Sequence, residues 1–218
     1  MKLQTLRRNG GIAAAAIALS LTLAACGEDD EPTTGSDDTS QSPEMTEEST
    51  PAQAGAADQV FGDGCAAVPD DGAGSFDGMV MDPVATAASN NPLLETLVTA
   101  VGVAELGGTL NDAPELTVFA PVNDAFAAIP EDQLNGILGD KQLLTKILTH
   151  HVVGGQLDPT SVAGEQETLN MDNLTVEGDA ESGMTVSDGT VTANVICGNV
   201  PTANATVYII DAVLAGAK

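Results

Sequence analysis

His150 and His151 are the only imidazoles in this chain of 218 residues, and they set the first limit on its chemistry. Neighbouring residues of a strand point to opposite faces, so the pair does not readily close on one metal ion. One ring is expected inside and the other outside, with His151 read as a hydrogen-bonded structural imidazole. A Ser-His-Asp hydrolase needs its nucleophile on a Gly-x-Ser-x-Gly turn. Gly74-Ser75-Phe76-Asp77-Gly78 carries the serine one place early. Oxygen ligands gather at Asn170-Met171-Asp172-Asn173 with Glu177, Asp179 and Glu181, but without EF-hand spacing they read as a solvated loop. Asp211 lies in an apolar run after Ile210. A carboxylate there needs donors, so its role is to fix backbone amides or a hydroxyl. These residue types point to a protein that is not an enzyme and that carries no cofactor or catalytic metal.

The three cysteines are more informative. Lys2, Arg7 and Arg8 precede an apolar run from Ile12 to Leu23, and Leu23-Ala24-Ala25-Cys26 closes it. This is the pattern of a bacterial signal peptide over residues 1–25 ending in a lipobox, with Cys26 as the lipidated residue of the exported chain. The stretch Ile12 to Ala25 is 14 residues long, short of the roughly 20 that a membrane span needs. Asn9-Gly10-Gly11 after the arginine pair favours ordinary export over the twin-arginine route. Two cysteines remain, Cys65 and Cys197, an even pair in an oxidising compartment, and they are expected to bond to each other.

Charge excludes one class of partner. The chain has 6 Lys and Arg against 32 Asp and Glu; removal of Lys2, Arg7 and Arg8 leaves three cations and a formal charge of −29. Phosphate neutralisation is out of reach, so nucleic acid is not a partner. Residues 26–59 are dominated by Asp, Glu, Ser, Thr, Pro and Gly, too little apolar surface to offset ordering, and read as a lipidated acidic tether. Nine Ser or Thr and three Pro between Pro32 and Pro51 fit either an O-glycosylated stalk or a bare linker. Asn173-Leu174-Thr175 and Asn204-Ala205-Thr206 are read as chance glycosylation matches in a bacterial lipoprotein.

One domain, 60–218, must then position everything else. Asp82-Pro83 reads as an N-cap followed by the first helical residue. Asn91-Pro92 repeats that signal before Leu93, Leu94, Leu97, Val98, Val101 and Leu106, whose spacing predicts a helix with one buried face. Leu116 to Ala120 is expected to be a buried strand, with short helices from Asp124 onward. After His151 the pattern changes to β-branched runs divided by Gly, Asn and Asp. Asp188-Gly189 signals a hairpin with a type I′ turn. Helices before strands predict an α+β fold.

Three segments carry a family resemblance: Thr117 to Phe126, Leu148-Thr149-His150-His151-Val152-Val153, and Ala205 to Leu214. In order and spacing they resemble the first box, the Tyr-His segment and the second box of the fasciclin (FAS1) domain. With Cys65 and Asp82-Pro83-Val84 added, the chain is similar to single-domain fasciclin surface lipoproteins of actinobacteria. The resemblance implies two β-sheets in a wedge-shaped sandwich with helices along one edge. It implies structural roles for Phe119, Pro121, Asn123, Phe126, His151 and Asp211. His150 stands where the family has Tyr, and Asn199-Val200 stands where some animal members carry an Asp-Ile pair implicated in integrin binding. Asn123, Asn199, Val200 and His150 are the candidate binding surface.

The function expected from the resemblance is adhesion or ligand binding on the extracytoplasmic face of the membrane, with release to the medium as a second location. The partners are the membrane through Cys26 and an extracellular protein or glycan. The alternative is a small apolar or lipid ligand in a cleft of the domain. Cys26→Ser is expected to leave the precursor unprocessed and to abolish detergent-phase partitioning; normal membrane fractionation of that variant would refute the anchor.

Overall fold

The computed structural model describes residues 55–215. The expected signal peptide, Cys26 and most of the expected tether lie outside them. Among the described residues the α-helices are α1 (Phe76–Met79), α2 (Val84–Asn90), α3 (Glu95–Ala104) and α4 (Gly107–Asp112), then after the first strand α5 (Asn123–Ala127), α6 (Glu131–Gly139) and α7 (Lys141–His150). The strands are β1 (Leu116–Pro121), β2 (Val152–Gly154), β3 (Gly164–Glu167), β4 (Asn173–Asp179), β5 (Gly183–Ser187), β6 (Thr192–Pro201) and β7 (Ala205–Ile210). The α+β segregation expected from the sequence is present.

The strands form one sheet in the order β2-β1-β7-β6-β5-β4-β3. β1 and β7 run parallel, in register from Leu116 opposite Ala205 to Pro121 opposite Ile210, and the remaining pairs are antiparallel. Both strands are buried at every position, as a parallel pair covered on both faces should be. Their alternation divides the interior. Val118, Ala120, Val207 and Ile209 belong to a core shared with the helices, whereas Phe119, Tyr208 and Ile210 join a second core under β4 to β6.

The two expected sheets are therefore halves of one continuous sheet. The ten-residue β6 serves both halves, and its register shifts between Val195 and Cys197 and again between Cys197 and Val200. Such bulges bend a strand and increase its twist. The curl brings the two ends together, where Val153 bridges to Thr168.

The expected cap of α2 is displaced. Pro83 itself is the N-cap and has no side chain to offer, so the Val84 amide donates instead to Oδ1 of Asn204, 2.8 Å away and 120 residues distant. Nδ2 of the same residue donates to the carbonyls of Leu110 (2.8 Å) and Ala113 (2.9 Å). Asn204 thus ties the start of α2 and the end of α4 to the β6–β7 turn. With 9% exposure and its amide fully engaged, it is no glycan acceptor.

Two further features shape the sheet. The β5–β6 connection is a hairpin, but a four-residue one: Ser187 pairs with Thr192, and only Gly189 has positive φ. Asp188 Oδ1 accepts from the amides of Thr190 and Val191 and from the Thr190 hydroxyl, an Asx turn in place of the expected type I′ turn. At the N-terminus, a strap bridges Phe61 to Gly198 and is fastened by the Cys65–Cys197 disulfide. Gly198 is required here because a Cβ would lie 2.3 Å from the Phe61 ring. The bond closes a 132-residue separation, worth roughly 4 to 5 kcal/mol in the loop-entropy model.

Asn204→Ala removes one acceptor and one doubly used donor from a buried junction. It is expected to lower stability by about 3 kcal/mol, measured as a lower urea midpoint at unchanged slope. A loss within 0.5 kcal/mol would show that water replaces the side chain.

Candidate functional site

Helices α2, α3, α4 and α7 do not close fully over β1 and β2. They leave an apolar cleft of about 220 Å³. Val98, Val101 and Leu106, predicted as helix-face core, are only half-buried because they form its walls with Leu110 and Val152. Small residues keep it open. Ala85 and Ala88 line it from α2, and a Cβ placed on Gly102 would meet no atom within 4 Å.

Of the four polar side chains in the wall, Thr109 is exposed and the other three, Ser89, Thr149 and His151, are hydrogen-bonded within the protein. The Ser89 hydroxyl donates to Ala85 O at 2.7 Å, and the Thr149 hydroxyl to Thr145 O at 2.9 Å. His151 Nδ1 lies 2.8 Å from Ile147 O, and Nε2 accepts from the Leu214 amide at 3.0 Å. These partners fix the neutral tautomer with its proton on Nδ1. Burial is the main cause that drives the His151 pKa down to about 4. The lining therefore offers hydrocarbon contact and few free donors.

His150 is not at the surface, and it is not in a strand. It is the last residue of α7, 1% exposed, with His151 following at 2%, so the alternation predicted for a strand does not apply and both rings point inward. His150 Nδ1 lies 2.6 Å from Asp172 Oδ1, and its other nitrogen is 3.8 Å from Asp188 Oδ2. Burial works to raise the Asp172 pKa, but hydrogen bonds from Thr168, His150 and Asn170 hold the carboxyl below its ordinary range.

The rest of the expected binding surface is also committed to the fold. Val200 is 1% exposed. Asn199 takes a left-handed φ of 60° in the β6 bulge and donates to Gln59 O at 2.9 Å. Asn123 Oδ1 accepts from the Thr96 amide and Nδ2 donates to Pro92 O, so it clamps the start of α3 rather than capping its own helix. Phe119 and Phe126 are core, and Pro121 is buried at the end of β1. Asp211 is exposed and accepts from the Asn194 amide and side chain, both at 2.7 Å, joining the end of β7 to β6.

The oxygen cluster is dispersed. Asp172 serves His150, while Asp179 accepts from Glu181 and Ser182 in the β4–β5 turn. Among the described residues no group of three His, Cys, Asp or Glu converges on a metal-sized site. Ser75 caps α1, donating to Gly72 O and accepting from the Gly78 amide. A larger depression of about 480 Å³ lies between Phe61–Gly64 and Ala180–Gly183, but it is open and no charged side chain other than Asp63 and Glu181 lines it.

A fasciclin-domain model matches residues 92–216. The chain belongs to the fasciclin family. It is 45% identical over 173 residues to the cell surface glycolipoprotein MPB83 of Mycobacterium bovis, covering 76% of each chain. It is equally identical over 174 residues to the immunogenic protein MPB70 of the same species, covering 76% of this chain and 86% of that one. Among solved structures, a FAS1 domain pair from the insect cell adhesion molecule Fasciclin I matches at 25% identity with a TM-score of 0.47, over 56% of this chain and 45% of that one.

In sequence the cleft's walls carry the same apolar helix-face pattern as core. The signal available was the run of small residues, Ala85, Ala88, Gly102 and Gly107, interrupting otherwise apolar helix faces.

His151 generates a pH test. Its folded pKa of about 4 lies below the ordinary 6.5, so the unfolded chain binds the proton first and stability must fall as pH drops from about 6.5 toward 4, by up to ~1.4 kcal/mol per unit. Chemical denaturation across that window should show the slope in the wild type and a flatter one in His151→Gln.

Proposed function

We propose that this fasciclin protein is a lipid-anchored surface module that captures an uncharged, chain-like apolar molecule in the cleft between its helices and sheet. The observation that carries this reading is the cleft itself: about 220 Å³, walled by aliphatic residues, with Ser89, Thr149 and His151 hydrogen-bonded elsewhere. A polar ligand entering it would lose its water contacts and regain little, whereas a hydrocarbon gains roughly 25 cal/mol for each Å² buried. Binding is the whole activity in this reading. Ser75, His151, Asp172 and Asp211 are each occupied by structural hydrogen bonds, which supports a protein without catalysis.

Anchoring through Cys26 and a tether over 26–59 places the domain on the extracytoplasmic face, and MPB83, described as a cell surface glycolipoprotein, supports that location. Among the described residues no helix is long and apolar enough to cross a membrane. A protein or glycan partner held by Asn123 and Asn199 has less support, because both amides are engaged with backbone.

Filling the cleft tests the reading. Gly102→Leu places a side chain at its mouth without a steric cost at Cβ and improves helix propensity by close to ~1 kcal/mol. Diphenylhexatriene, an uncharged apolar rod that fluoresces on leaving water, should bind the wild type and bind Gly102→Leu at least about tenfold more weakly, a difference of ~1.4 kcal/mol. Equal binding by a variant that remains folded would remove the cleft as the site.

A further inference from the structure

The turn from Thr168 to Asp172 is built the wrong way round for a water-facing loop. Its polar groups bind one another and the protein interior. Thr168 N donates to Asp172 O at 2.8 Å, Met171 N to Thr168 O at 2.9 Å, and Asn170 Nδ2 to Asp172 Oδ2 at 2.6 Å. The Thr168 hydroxyl donates to Asp172 Oδ1, the same oxygen that meets the buried His150 ring. What the turn shows to solvent is Leu169, 49% exposed, and Met171, 85% exposed. Met171 is held at φ 62°, a left-handed conformation unusual for a residue with a side chain.

This turn is continuous with the cleft. The Leu169 amide donates to Val152 O at 2.7 Å, and Leu169 and Val152 both line the apolar space. One side chain therefore belongs to the cleft wall and to the outer surface at once. Met171 stands just beyond it.

The position of the anchor supplies the occupant. The described chain begins at 55, which leaves 28 residues between Cys26 and the first of them. A chain of that length reaches at most about 100 Å, so a bilayer holding Cys26 is within reach of the domain. Charge then selects the lipid. The exported chain carries a formal −29, with Lys141 and Lys146 of α7 among its three cations, so an anionic surface repels the protein as a whole and a neutral one does not.

We propose that the Thr168–Asp172 turn is the portal of the cleft, which rests on a neutral lipid surface so that an apolar molecule passes between bilayer and cleft without crossing water. The inference rests on the apolar-ligand reading of the cleft. His150 acts as a positioning residue: its contact with Asp172 holds the turn so that two apolar side chains stay turned out.

The test is the transfer of diphenylhexatriene from vesicles to the full mature chain carrying Cys26→Ser, so that no lipid on the protein adds its own contact. Passage by contact makes the transfer rate rise in proportion to phosphatidylcholine vesicle concentration. Substituting Met171→Asp, exposed and outside the cleft, should lower that rate by about tenfold or more, equivalent to ~1.4 kcal/mol of lost apolar contact. Equilibrium binding of the probe from water should remain as in the parent chain. Vesicles rich in phosphatidylglycerol should be slower donors than neutral ones. A rate independent of vesicle concentration, or one unchanged in Met171→Asp, overturns the portal while leaving the cleft intact. Failure of the parent chain to bind the probe from water overturns the cleft reading itself.

Discussion

The parallel pairing of β1 with β7 is the constraint on which the rest of this fold depends. It joins the first family box to the last, Thr117 opposite Thr206 and Phe119 opposite Tyr208. A parallel pair cannot be closed by a tight turn, so everything from α5 to β6 has to be threaded out and back between its two strands. Because both strands are buried throughout, each needs a cover on each face. The helices supply one and the curled second half of the sheet supplies the other. Phe119, Tyr208 and Ile210 point to one cover while Val118, Val207 and Ile209 point to the opposite one. The phenol of Tyr208 still finds an acceptor, Leu157 O at 2.9 Å, and burial pushes its pKa upward.

Much of the architecture is legible in the sequence because local signals and tertiary demand agree there. Asn91 accepts from the Leu93 amide at the turn that Asn91-Pro92 announces, and the apolar runs after His151 are strands. Legibility ends where a side chain's partner comes from far along the chain. Asn204 reads only as a chance glycosylation match and turns out to cap a helix 120 residues away. Asp82 offers an ordinary N-cap signal, yet the tertiary acceptor, Asn204 Oδ1, wins and the helix starts after Pro83. The outward histidine fails for a related reason. Periodicity is set by the element a residue occupies, and His150 ends a helix that holds it under the Thr168–Asp172 turn.

The candidate site is a harder case, because a cleft is made of the same residues as a core. Val101 and Leu106 have identical sequence signatures whether a neighbour covers them or not. What decides is volume on the facing helices, and Gly102, Gly107 and Ala88 are too small to fill the space between. The adhesive surface drawn from family positions had the opposite fault. Asn123 and Asn199 look free in sequence, but both are spent on backbone groups, one at the start of α3 and one holding the strap.

The strap also determines how the domain carries load. A pull on the chain N-terminal to Cys65 does not have to travel through α1 to α7, because the sulfur bridge hands it directly to Cys197 in β6. From there it is shared with β7 and β5 through their ladders. The helical half, which holds the cleft, is thereby shunted out of the line of tension for as long as the bridge is intact.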